Sequence, residues 1–96
     1  MKIKINQEIK NIEGKQILRD ANKPLTLKDV CVNCILSPTE GDDEKKKWDK
    51  YEIYKKLRDA KDEVTLTAEE VTVIKKAIGR FEPPLILGQC FEALEK

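Results

Sequence analysis

Cys31-Val32-Asn33-Cys34, together with Cys90, has the most chemistry to offer of any group in this chain. A C-x-x-C pair becomes a redox centre when a helix N-terminus stabilises its thiolate. Here both cysteines are expected one turn or more into a helix, on its apolar side, with no preceding strand of a thioredoxin-like unit. A closed zinc site needs four ligands, and the chain has three cysteines and no histidine. The three are therefore expected to be small apolar core residues. No metal and no cofactor is expected.

Asp59 to Glu70 is a second candidate, twelve residues between two expected helices, as in a calcium-binding loop. Aspartate at the first position, leucine at the eighth and glutamate at the twelfth match that pattern. The third position is Lys61, a cation where an oxygen ligand is needed, and the sixth is Val64 where glycine makes the sharp turn. These departures argue for a plain helix–connection–helix.

Lys45, Lys46, Lys47 and Lys50 around Trp48 have the types of a nucleic-acid patch, with basic groups for phosphates and an aromatic for stacking. Residues 42–62, however, hold eight positive and seven negative side chains. Such a mixture is that of a solvated, salt-bridged helix face. The whole chain carries 19 basic and 18 acidic residues, a net charge of +1, which generates no broad field to capture nucleic acid. Trp48 and Tyr51 fall at the edge of the apolar side of the same helix, a position enriched in partner interfaces and also one from which aromatics cover a small core. Leu85 and Ile86, at the apolar start of the last helix, complete the candidate partner surface.

Catalysis has little to build on. The commonest general base is missing with histidine, no nucleophile elbow, P-loop or dinucleotide fingerprint occurs, and the carboxylates sit in charged runs. No enzyme activity is expected.

The elements that would position these residues follow from periodicity and punctuation. Residues 2–6 alternate like a half-buried strand, Ile3 and Ile5 facing one way. A second alternating stretch, Ile9 to Leu18, is broken at Glu13-Gly14, where glycine's tolerance of positive φ predicts a tight hairpin turn. Thr26 to Asp29 opens a helix as a short capping box, with Leu27, Val30, Cys31, Cys34 and Ile35 on one face. The break after it is expected at Ser37-Pro38-Thr39-Glu40-Gly41. The longest helix spans 43–61, acidic at its start and basic at its end as the dipole favours, with Ile53, Tyr54, Leu57 and Ala60 inward. Val64-Thr65-Leu66 is expected as an extended connection. Thr67-Ala68-Glu69-Glu70 is a full capping box before Val71, Ile74 and Ile78, and Gly79 is expected to be the C-terminal cap. Pro83-Pro84 opens the last helix, whose apolar side is Leu87, Cys90, Phe91 and Leu94.

The expected fold is α+β, an N-terminal β-hairpin packed on about four short helices, mainly helical. It forms one domain over 1–96, with the hairpin in 1–20 and the helical part in 25–96. An odd number of cysteines argues for a reducing cytosol over a disulfide scaffold. Met1-Lys2-Ile3-Lys4-Ile5 alternates where a secretory signal would run apolar, and no stretch approaches the ~18 apolar residues of a membrane span.

The layout resembles a group of small tailed-phage and prophage proteins. The resemblance runs over nearly the whole chain. It is carried by the alternating start, the Gly14-Lys15 hairpin, Leu25-Thr26-Leu27-Lys28-Asp29-Val30 leading to Cys34-Ile35-Leu36, Leu66-Thr67-Ala68-Glu69-Glu70, and the closing Leu87-Gly88-Gln89-Cys90-Phe91-Glu92-Ala93-Leu94. It implies a phage-derived accessory protein in the bacterial host cytoplasm and carries over no site residues. The expected function is non-enzymatic protein–protein interaction, in particle or tail assembly, with a phage structural protein, a host protein or a second copy as partner. The alternative is a small nucleic-acid-binding regulator using Lys45, Lys46, Lys47 and Lys50.

Overall fold

The computed structural model describes residues 2–20, 23–37 and 40–95. Met1 of the alternating start and Pro38-Thr39 of the expected break lie outside them. The chain runs through β1 (Lys2–Lys4), β2 (Leu18–Asp20), β3 (Lys23–Pro24), α1 (Leu27–Leu36), α2 (Glu44–Asp59), β4 (Glu63–Thr65), α3 (Ala68–Phe81) and α4 (Pro84–Leu94). The fold is α+β and mainly helical, with a small antiparallel hairpin in its N-terminal part and four helices among the described residues.

The expected turn forms where Gly14 permits it, at φ +78°. The Asn11 N–H donates to the Lys15 carbonyl at 2.8 Å, and the Asn11 side chain accepts from the N–H groups of Glu13 and Lys15. Beyond the turn, three short runs close on one another: Ile17 N–H donates to Ile9, Ile9 N–H to Leu25, and Leu25 N–H to Ile17. Ile9 is buried, and Ile17 and Leu25 pack against the core. β2 and β3 pair antiparallel next to this closure.

β1 pairs elsewhere. Its partner is β4, antiparallel, with Ile3 opposite Val64 and both side chains buried. The segment expected as an extended connection is extended, and it is also a paired strand, so the sheet joins the N-terminal residues to the connection between α2 and α3. Continuing past β1, the carbonyls of Ile5 and Gln7 accept from the N–H groups of Lys28 and Leu27 at 2.9 and 2.8 Å. The strand therefore satisfies donors that the first turn of a helix leaves without partners.

α1 is the centre of the molecule and packs against α2, α3 and α4. Thr26 Oγ1 accepts from the Asp29 N–H at 3.3 Å while Asp29 accepts from the Thr26 N–H at 3.1 Å, the reciprocal box expected. All five residues expected on its inner face are buried. In α2 only Ile53 and Leu57 are buried out of sixteen residues, so this helix lies on the outside with most of its surface in water. α3 starts with its own box at Thr67 and Glu70. It does not stop at Gly79: the helix continues to Phe81, and Glu82 is the C-cap. Gly79 is held helical by the turns on both sides, so its freedom to adopt positive φ is not used. α4 begins with Pro84 in its first turn, as expected.

Candidate functional site

α2 carries the exposed chemistry. Asp43 caps it, accepting from the Lys46 N–H at 2.8 Å, and its two buried residues leave three sides of the helix outward. Trp48, Tyr51 and Tyr54 recur every three residues and stack along it, each successive pair of ring centroids 5.9 Å apart and tilted by 35° and 40°. Lys55 Nζ lies 5.7 Å from the Tyr51 ring centre and Arg58 Cζ 5.7 Å from that of Tyr54, within cation–π range. The ladder grades outward: Tyr54 packs against the core, Tyr51 is 41% exposed and Trp48 58%. Shallow grooves flank Trp48, one lined with Glu44, Lys47 and Tyr51, the other with Asp43, Glu44 and Lys45.

Leu85 and Ile86 line neither of these grooves. They belong to the first turns of α4, Leu85 exposed and Ile86 packed against the core. The candidate partner surface is therefore two separate places.

The four lysines also separate. Lys47 lies beside Trp48 and Tyr51. Lys45 lines the groove on the other flank of Trp48 and also reaches one that holds Asp49, Glu52, Glu69 and Glu70. Lys46 and Lys50 face α3, in a cleft with Asp42, Asp49, Val73, Lys76, Ala77 and Arg80. Lys50 is ion-paired with Asp42, both side chains largely covered. Consecutive helical residues point 100° apart, so a run of lysines cannot form one face.

The α2–α3 cleft went unrecognised in the sequence, although a signal was present: Lys46 and Lys50, and Lys76 and Arg80, are like charges spaced i, i+4 on two helices. Lys56 near the end of α2 pairs with Glu70 in the first turn of α3 at 2.8 Å. With Lys46 and Arg80 sharing the cleft at the other end, the two helices run in opposite directions.

The three cysteines are buried and free. Burial pushes the Cys34 thiol up to about 12, helped by its hydrogen bond to Glu82, where Sγ donates to Oε1 at 3.4 Å. Burial also raises Cys90 to about 12, with the Glu82 charge adding to it, and raises Cys31 further still. These are thiols held neutral, the reverse of an activated nucleophile. The loop from Asp59 to Glu70 contains β4, and its sixth position, Val64, is buried against β1. Among the described residues, no group of three or more cysteine and carboxylate side chains is placed to hold a metal ion. No described helix is long and apolar enough to cross a membrane.

No protein-family model, curated protein or solved structure matches the chain.

Proposed function

We propose that this chain is a non-enzymatic accessory protein of phage or prophage origin that binds another protein through the aromatic side of α2. The observation that carries the binding reading is the Trp48–Tyr51–Tyr54 ladder, whose outermost ring is the most exposed. An aromatic ring offers much apolar area at little cost in rotamer entropy, and covering it with a partner releases that area from water. Lys47, Lys55 and Arg58 around the ladder would form a polar rim. The buried, neutral thiols are not activated nucleophiles. The phage origin, a place in particle or tail assembly and the bacterial cytoplasm rest on the layout resemblance.

The nucleic-acid alternative has less support: Lys45 and Lys47 border Trp48 together with Asp43 and Glu44, while Lys46 and Lys50 face α3 and Lys50 is engaged with Asp42.

The experiment is capture of phage virion and assembly proteins on the tagged chain after prophage induction, with the Trp48→Ala/Tyr51→Ala variant in parallel. Loss of two interface aromatics should weaken capture by roughly tenfold or more, with the circular dichroism unchanged. Equal capture by the variant, or its unfolding, would remove the proposed surface. Recovery of DNA with a steep dependence on salt would favour the regulator.

A further inference from the structure

The cleft between α2 and α3 has a charge that its own groups do not balance. Four cations, Lys46, Lys50, Lys76 and Arg80, line it with two carboxylates, Asp42 and Asp49, leaving a net +2. Lys50 and Asp42 satisfy each other as an ion pair. Lys46, Lys76 and Arg80 form no salt bridge among the described residues. The convergence is felt at Asp42, whose carboxyl lies below the ordinary range through its hydrogen bond from Lys50, with the charges of Lys46 and Arg80 adding to it.

Local helix electrostatics account for Arg80 and in part for Lys46, which has the charge of Asp42 beside it, but not for Lys76. A cation near the end of α3 suits the dipole, which explains Arg80; Lys46 sits in the first turn of α2, the end where a positive charge is disfavoured. Lys76 and Arg80 also repel each other at i, i+4. A cleft with a net positive charge concentrates anions. Its volume, about 260 Å³, is slightly below the roughly 300 Å³ at which drug-sized pockets begin. Val73 and Ala77 supply an apolar wall.

We infer that this cleft is a binding site for a small phosphate-bearing dianion, held by Lys46, Lys76 and Arg80. A dianion cancels the net +2, and the guanidinium of Arg80 can engage two phosphate oxygens at once. The site is separate from the aromatic ladder, which lies on the other side of α2, so it stands whether or not that surface binds a protein.

The test is a titration of the full chain with phenyl phosphate, followed by amide ¹H–¹⁵N shifts at constant ionic strength, with sodium chloride as the reference. Saturable shifts centred on Lys46, Val73, Lys76 and Arg80 are expected. Lys76→Ala/Arg80→Ala should weaken binding at least tenfold while leaving the unliganded fold intact, since both side chains are exposed. Lys47→Ala, beside Trp48 and outside the cleft lining, should change it less than twofold. Shifts that never saturate, that spread evenly over the surface lysines, or that persist in Lys76→Ala/Arg80→Ala would overturn the proposal.

Discussion

The side-chain amide of Gln89 pairs with the peptide group of Lys10 as one strand residue pairs with another. The Lys10 N–H donates to Gln89 Oε1 and Gln89 Nε2 donates to the Lys10 carbonyl, both at 2.8 Å. This reciprocal pair fastens the N-terminal hairpin to α4 across 79 positions of sequence. A hairpin is marginal in water by itself, and this contact is one of the means by which the helical part holds it.

Gln89→Ala should cost about 1–2 kcal/mol, since it removes two hydrogen bonds and leaves partly buried backbone groups without partners. Gln89→Glu should cost more than Gln89→Ala. It keeps the acceptor but loses the donor, and it sets a carboxylate against the Lys10 carbonyl. Urea denaturation checks both, with the midpoint falling and the slope unchanged. An unaltered midpoint for Gln89→Ala would show that the contact contributes nothing to stability.

Gly79→Ala and Gly88→Ala should each stabilise the fold, by about 0.5–1 kcal/mol. Both glycines lie inside helices. A methyl group at Gly79 would meet Leu87 Cδ1 at 4.0 Å, an ordinary contact, and one at Gly88 would meet nothing within 4 Å. Gly14→Ala should have the opposite sign and lose about 1 kcal/mol, because φ of +78° strains any residue with a Cβ. Thermal unfolding of the three variants, compared by the sign of the change in Tm, distinguishes these cases.

The cysteines should label slowly in the native protein and quickly in urea when treated with a thiol reagent at pH 8. They also predict an alkaline limit to stability. A thiol whose folded pKa is raised contributes stability fully below its unfolded value, near 9, and loses it as pH rises toward the folded value, about 12 for Cys34 and Cys90. The unfolded chain ionises in that window and the folded chain does not, so the urea midpoint should fall steadily above pH 9. Replacing all three cysteines with alanine should lower the midpoint at neutral pH and flatten its decline above pH 9. Rapid native labelling would contradict the burial.

Much of the fold is legible in the residues because much of it is local. The caps at Thr26 and Thr67 need only neighbours three positions away, and the turn at Gly14 needs one permissive φ. The inner face of α1 follows from helical spacing alone, and Cys31 and Cys34 take their places on it as apolar residues. Gly79 misleads because a glycine near the end of a helix has the type of a cap without the conformation.

Tertiary structure decided what depends on distant partners. Ile3 and Val64 pair across the sheet because both are apolar and in register, with β1 packed beside α4, and three-residue strands carry too little pattern to announce each other. Trp48 and Tyr51 are outward because α1 covers Ile53 and Leu57, a choice between neighbouring sides of α2 that periodicity leaves open. The lysines of residues 45–50 look like one patch in sequence and divide in space, Lys45 and Lys47 flanking Trp48 and Lys46 and Lys50 facing α3, since each helical step turns the side chain by 100°. The cleft exists because α2 and α3 run in opposite directions, bringing Lys46 to Lys76 and Arg80. Local chemistry determined the elements, and the burial of their apolar faces determined which charges were left facing one another.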